Sequence, residues 1–438
     1  MPTLAHKSTD KTGPMLAKVT TELLDEWGCT NTVVGMTFDT TSSNTGQVTA
    51  GCISLQLALK KVLLWLACRH HIGEVFLTHV FKALKIEVSK SPDVTVFVRF
   101  KENFESLSYK ETGSNMYVPP VPAALKERRD EIVKLCKDAL KQDFARGDYK
   151  ELVKLTLMYL SDDTIIDFIR PGALHKARWM AKILYSIKIV LLNKKVVNEL
   201  PKNTIFTAAQ LPKLKKFVQY VVYCHIPWWL TAPVPSAAPF NDLNLINALI
   251  SYKDIDSVSA DSALKAMSGH MWYLSEELVP LSLFSSTVTD ETKQKIVDKL
   301  LTFDNSSDSV CSKRTGTGHG KPYFPKVPTT ITEDLSSFVG QDSWTFFKTL
   351  KFETGFLHSP VEDWTTNNQY LSAKEIVSHL CVVNDAAERG VKLAHDFLHT
   401  AKKEQNLQNV LQVVENNRNV LPNQRKRKAQ SKNWFLRL

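Results

Sequence analysis

Helical and strand patterns alternate along the first 90 residues, and this alternation most restricts the fold. Apolar residues at helical spacing over Pro14–Trp27 predict a first helix. The run Thr32–Phe38 is rich in β-branched residues, and Val62–Ala67 is continuously apolar, as in strands of a buried parallel sheet. Helical patterns over Gln47–Lys60 and Ile72–Lys85 follow these two runs. Helices placed between strands predict a parallel α/β unit.

Beyond residue 91 the strand signal fades and amphipathic helical patterns dominate, apart from a loop-rich stretch at 304–327. The last strong helix is predicted to begin near Leu371 and to cover Glu388. We therefore expect an α/β plus α protein with four parts. These are a partial α/β core at 1–90, a mainly helical insertion at 91–370, closing helices of the core at 371–420 and a basic tail at 421–438.

Charge is distributed unevenly along this chain, whose net charge is +10. Residues 423–438 contain six Lys or Arg and no acid, and residues 170–216 contain eleven against the single acid Glu199, so the remainder carries −6. Clustered Lys and Arg attract polyanions, above all nucleic acids. We therefore predict DNA as a partner, with Lys213, Lys215 and Lys216 as candidate contacts. The alternative for such a charge run is an ordinary solvated helix face.

Other features bear on the compartment. Seven scattered cysteines favour a reducing environment over a disulfide framework. The N-terminus lacks the basic and apolar regions of a secretion signal. The uncharged stretch Phe217–Asn241 contains four prolines, so we predict that it does not span a membrane. The run Arg425, Lys426, Arg427, Lys428 fits a nuclear import signal, so we expect a nuclear location.

Asp39 is the first candidate for chemistry, because it ends a predicted strand and begins the polar loop Thr40–Gly46. Open α/β sheets bind ligands at this edge. Phosphoryl transfer with two metal ions needs carboxylates that converge from separate elements. The alternative is that Asp39 only caps the following turn.

Two further motifs carry candidate ligands or acids. Cys68 and His71 have a spacing that can chelate zinc, but no second pair lies nearby in the sequence to complete four ligands. Asp385 and Glu388 share one face of the predicted closing helix, where solvent exposure is the simpler explanation.

Four motifs occur in a fixed order along the chain: Phe38–Asn44, Cys68-x-x-His71, His175–Trp179 and Asn384–Arg389. In this order, with a helical insertion before the last, they resemble the motifs of hAT-like DDE transposases, which have an RNase H-like catalytic fold. The resemblance extends from Asp39 to about Arg418. It implies an incomplete RNase H-like core interrupted by an all-α insertion.

The resemblance also implies roles for single residues. Asp39 would be the second acid of the catalytic triad and Glu388 the third, and together they would be the metal ligands. Asn44, Cys68 and His71 would lie near this site. Arg178 and Trp179 would stand against DNA, where the family keeps an arginine–tryptophan pair. The C-terminal region would mediate self-association.

In this family the first acid lies on strands that precede the first helix. That helix is predicted to begin about fifteen residues from Met1, so we expect the first acid to be absent, and Asp10 is a poor substitute. We therefore expect a transposase-derived, DNA-associating protein that does not cut DNA. Mg²⁺ or Mn²⁺ would bind only if the triad were complete, and otherwise no cofactor is expected.

Two alternatives remain open. The chain could be a fragment of an active Mg²⁺-dependent DNA transposase whose first acid lies upstream. It could also be a helical protein-interaction scaffold that does not bind nucleic acid.

Overall fold

The computed structural model describes residues 12–46, 50–87, 94–107, 117, 119–142, 144, 147–161, 168–171, 178–303, 320–384 and 434–437. For residue 178 and the strand at 434–437 it describes the backbone alone. Helices predominate within these ranges, and they pack around a small parallel sheet. The expected α/β plus α class is therefore confirmed at this level.

The N-terminal part alternates as the sequence predicts. Its elements are α1 (Gly13–Glu26), β1 (Val33–Phe38), the short α2 (Ser42–Thr45), α3 (Gly51–Leu59), β2 (Leu64–Ala67) and α4 (Arg69–Ala83). Strands β1 and β2 are parallel, with Gly35 opposite Leu64 and Phe38 opposite Ala67. Strand β3 (Trp434–Arg437) pairs in parallel with the other side of β1. Every residue of β1 and β2 is buried, which explains their continuous apolar runs.

The remaining described elements are helical. They are α5 (Thr95–Asn103), α6 (Lys126–Ala139), α7 (Gly147–Leu160), α8 (Arg178–Leu191), α9 (Asn193–Glu199), α10 (Gln210–Tyr220), α11 (Ile226–Thr231), α12 (Ala238–Met267), α13 (Asp290–Leu300), α14 (Ser343–Leu350) and α15 (Asn368–Ser378). Short 3₁₀ turns connect several of them, among them Trp272–Leu274 and Val361–Thr366. Helices α7, α8 and α12 pack directly against one another or against α4, so one hydrophobic core joins the sheet to the helices.

The uncharged stretch at 217–241 lies in this core. It comprises the end of α10, one π-helical turn at Val221–His225, α11 and the start of α12. Among the residues that the structure describes, no helix is both long and apolar enough to cross a membrane.

Helix α12 lies where amphipathic helical patterns dominate the sequence, but it is not straight. It is one element bent at Asp256, whose backbone leaves helical geometry at φ −149° and ψ 90°. The buried Asp256 carboxylate accepts hydrogen bonds from Lys216 Nζ at 3.2 Å and from Ser259 Oγ at 2.6 Å. These partners come from another helix and from the next turn, so local periodicity does not reveal the bend.

The predicted closing helix is wrong in its extent. Helix α15 ends at Ser378, whose hydroxyl donates to the carbonyl of Glu375 at 2.7 Å. Residues 380–384 are not helical. They cross to the sheet, where the Thr37 hydroxyl donates to the Cys381 carbonyl. Glu388 lies outside the described residues, as does the rest of 385–420.

A buried ion pair joins the sheet edge to the helical part. Arg69, the first residue of α4, donates from Nη2 to Asp242 Oδ1 of α12 at 2.7 Å, and both side chains are at most 1% exposed. Arg69 also donates to the Ala238 carbonyl at 3.1 Å, and its guanidinium lies over the rings of Trp228 and Tyr273 at 5.0 and 4.9 Å. The indole of Trp228 donates to the same carboxylate oxygen at 2.7 Å. The pair thus has hydrogen bonds on both sides beyond the ion pair itself, although Arg69 Nε and Asp242 Oδ2 have no hydrogen-bond partner among the described residues.

Removal of one partner should destabilise the fold strongly. Arg69→Met leaves a buried carboxylate without its cation, which costs about 3–5 kcal/mol in the free energy of unfolding. The double variant Arg69→Met/Asp242→Leu should lose much less, because no charge remains buried. Urea unfolding followed by circular dichroism measures both.

The exposed pair Lys295–Glu291 is the matched control, with Nζ and Oε1 2.7 Å apart on α13. Lys295→Met should barely change the unfolding midpoint, since solvated ion pairs contribute little. Equal loss in the single and double variants at 69 and 242 would contradict this account of the pair.

Candidate functional site

Asp39 lies directly after β1, at the carboxyl end of the parallel strands. Its Oδ1 atom accepts hydrogen bonds from the Thr41 backbone N–H at 3.1 Å, the Thr41 hydroxyl and Asn44 Nδ2 at 2.8 Å. These contacts hold the short helix α2 against the strand end, so Asp39 does cap the following turn. The Asp39 carboxylate also acts on a core residue. Burial raises the pKa of the Cys52 thiol, and the negative charge of Asp39 raises it further.

Asn44 and Cys68, both predicted to lie near the site, are close to this strand end. Asn44 is buried and also donates to the Asp39 carbonyl at 3.3 Å. The Cys68 backbone N–H donates to the Phe38 carbonyl at 2.7 Å, which places Cys68 beside Asp39 at the same sheet edge. The structure thus brings three of the predicted residues together.

The segment at 380–384 reaches this edge from the far end of the chain. The Arg69 backbone N–H donates to the Val382 carbonyl at 2.8 Å, and the Asn384 backbone N–H donates to Cys68 Sγ at 3.3 Å. Asn384 is the first residue of the motif that contains Glu388. The start of that motif therefore lies against Cys68, although Glu388 itself lies outside the described residues.

His71 occupies the first turn of α4 and faces away from the core. Its Nδ1 lies 3.5 Å from Glu74 Oε2, and its side chain is about one-fifth exposed. In the described part of the chain, no group of three or more His, Cys, Asp or Glu residues could hold a metal ion. Asp39, with Oδ1 engaged by three donors, does not form a metal site with the residues described around it. We therefore derive no metal-dependent step.

The assignment of Trp179 to a DNA-facing position is wrong. Trp179 is 3% exposed and packs among His70, Tyr149, His225 and Trp229, with ring centroids 5.8–6.2 Å away. An indole enclosed by four rings cannot stack on a nucleotide base. Arg178 begins α8, and the structure describes only its backbone.

The basic segment at 170–216 is only partly available to a polyanion. Lys188 is buried and lies 2.6 Å from Glu151, and burial lowers the pKa of Lys188 although Glu151 raises it. Lys195 is also buried. Those two cations belong to the core, so the charge of this segment overstates its surface charge.

The three lysines predicted to contact DNA lie together on α10, but each has a partner within the protein. Lys213 Nζ donates to the Lys85 carbonyl at 2.9 Å. Lys215 Nζ lies 3.8 Å from the ring centroid of Tyr117. Lys216 pairs with the buried Asp256 at 3.2 Å. Lys216 therefore stabilises the bend of α12, and a charge reversal there would perturb the fold as well as any DNA contact. Residues 425–428 lie outside the described part of the chain.

Sequence reasoning missed Arg69 and Asp242, which position this edge. A signal was present, because Asp242 is the first charged residue after the uncharged stretch at 217–241. An acid that follows such an apolar run is a candidate for burial, and a buried acid requires a cation. Nothing in the local pattern around Cys68 identifies Arg69 as that cation.

The ring cluster around Trp179 predicts acid sensitivity. Burial, with His70 nearby, lowers the pKa of His225 to about 3. The unfolded chain takes up this proton near pH 6.5, and the folded chain does so only near pH 3. Between these values the unfolded state binds more protons, so stability should fall as the pH falls, by up to about 1.4 kcal/mol per pH unit. Urea unfolding at pH 6.5, 5.5 and 4.5 measures this slope.

His225→Phe should make the slope shallower, because the ring remains and the titrating group is lost. The exposed His358 provides the control, and His358→Gln should leave the slope unchanged. The same slope in the His225→Phe variant and the wild type would show that other groups cause the acid sensitivity.

Comparison of this chain with protein-family models, with curated proteins and with solved structures finds no match. A functional assignment therefore depends on the geometry above.

Proposed function

We propose that this chain is a transposase-derived protein that associates with DNA and retains the strand-end edge of an RNase H-like core. The observation that carries the proposal is the meeting of three distant segments at one edge. Asp39 directly follows β1, Cys68 directly follows β2, and the Asn384 backbone N–H donates to Cys68 Sγ from over 300 residues further along the chain. Three of the four motifs that resemble those of the transposase family thus lie together in space, and their order in the sequence does not by itself require this.

The charge distribution supports the DNA-associating part of the proposal. The chain carries +10 overall, and Lys213 and Lys215 lie on one turn of α10, where both side chains are partly exposed to solvent. Binding of Lys and Arg to phosphates releases counterions, so the affinity for DNA falls steeply with salt. A nuclear location and self-association of the chain belong to the same proposal. They depend on the C-terminal region.

The decisive test is the salt dependence of duplex DNA binding by the full chain, measured by fluorescence anisotropy. With about five phosphate contacts, the dissociation constant should rise by at least ~100-fold between 50 and 200 mM salt. A helical protein-interaction scaffold would show no DNA binding, and that result would overturn the proposal.

The alternative of an active transposase is favoured by the position of Asp39 at the strand end. That alternative places the first acid upstream, so a chain extended by its upstream sequence is incubated with supercoiled DNA and Mg²⁺ or Mn²⁺. Nicking that disappears in Asp39→Asn would establish the alternative, since the amide oxygen keeps the contacts to Thr41 and Asn44. Nicking that survives this change would reject Asp39 as a catalytic residue.

A further inference from the structure

The outer face of α4 carries a row of basic and imidazole side chains that starts at the candidate site. His71, Glu74, Thr78 and Lys82 are spaced three or four residues apart and therefore lie on one face of the helix. His79 borders this face and is exposed, as is Lys82. Glu74 is the single acid in the row. The charge of this helix face was not apparent from segment composition, because its residues lie outside the two basic segments.

Neighbouring elements add lysines to both ends of this face. At the start of α4, Lys321 Nζ lies 4.7 and 4.4 Å from the ring centroids of Trp272 and Phe324. Burial lowers the pKa of His270, and the nearby Lys321, His71 and His79 lower it further, to about 4. Beyond the C-terminal end of α4, the Lys85 carbonyl accepts from Lys213 Nζ at 2.9 Å. The row thus continues into α10.

Lys182 of α8 joins the row at its middle. Its Nζ donates to the Thr78 hydroxyl at 3.1 Å. Burial and the neighbouring Lys82 lower the pKa of Lys182, while Glu74 raises it. Two ammonium groups that repel each other beside one half-buried glutamate favour an additional anion.

From these contacts we propose that the α4 strip, defined as Lys82, Lys85, Lys182, Lys213 and Lys321 with His71 and His79, binds the phosphate backbone of a nucleic acid. The proposal rests on the DNA association proposed above and adds the face that makes the contact. Helix α4 has 15 residues. At 1.5 Å per residue it is about 22 Å long, which corresponds to about six base-pair steps of 3.4 Å along a duplex axis.

The position of the strip favours a nucleic acid over an acidic protein segment. The first turn of α4 follows Cys68 directly, so a nucleic-acid strand that runs along α4 passes the sheet edge where Asp39 lies. A regularly charged polymer can contact lysines at both ends of a 22 Å helix at once, because its charges repeat along its length.

The test uses the double variant Lys82→Gln/Lys213→Gln in the full chain. Both side chains reach solvent, and neither pairs with a buried acid. Each lost phosphate contact lowers the slope of log affinity against log salt by about one, so the slope should fall by about two. The probe is a duplex of 20 base pairs, followed by fluorescence anisotropy from 50 to 300 mM salt.

The matched control is Lys137→Gln/Lys265→Gln. Lys82 and Lys137 both occupy the last turn of an α-helix of similar length, and Lys265 occupies the last turn of α12. All three are exposed. The control removes the same charge from faces outside the strip, so its salt slope should equal that of the wild type.

Three outcomes would overturn a proposal, and they are distinguishable. If the wild type binds no duplex, the proposed DNA association fails, and the strip assignment fails with it. If the wild type binds and the two double variants share its slope, the strip alone is rejected. If Lys82→Gln/Lys213→Gln binds DNA normally but loses polyglutamate binding, the strip belongs to an acidic protein.

Discussion

The ion pair between Arg69 and Asp242 is the interaction on which the rest of this structure depends. Removing two charges from water costs several kcal/mol per ion, so such a pair needs further hydrogen bonds beyond the ion pair itself. Here the indole of Trp228 donates to the Asp242 carboxylate, and the carbonyl of Ala238 accepts from Arg69. The backbone N–H of the same arginine holds Val382, so one residue connects a helix start, the long helix α12 and the C-terminal segment.

This arrangement explains how such a small sheet can hold a defined edge. Asp39, Cys68 and Asn384 come from three distant parts of the chain, and hydrogen bonds from Cys68 to Phe38 and from Asn384 to Cys68 join these parts at the edge. The Tyr273 hydroxyl closes the edge from the helical side through a 2.6 Å hydrogen bond to the Ala67 carbonyl. The helices therefore hold the sheet edge in place, so a substitution in α12 should alter the geometry of the candidate site.

The local sequence pattern was sufficient to predict α1, β1, β2 and α4, because each has an apolar face or run of the length and period typical of its structure. It failed where the deciding partner lies far along the chain. The helix at Ser378 ends so that the next residues can bond to Thr37 and Arg69, and Asp256 bends α12 toward Lys216. The sequence also did not reveal the burial of Trp179, because an Arg-Trp pair has the same local pattern on a core helix and on a helix that faces DNA.

The same distinction applies to charge. The count of Lys and Arg along the sequence placed a positive surface at residues 170–216. In the structure, however, Lys188 lies in the core and Lys216 neutralises a buried acid. The field that a polyanion meets is a sum over neighbours in space. The positive charge of Lys82, which lies outside the two basic segments, adds to that of Lys182 on the neighbouring helix α8. Because this surface adjoins the end of β2, it would orient a bound strand along α4 toward Asp39.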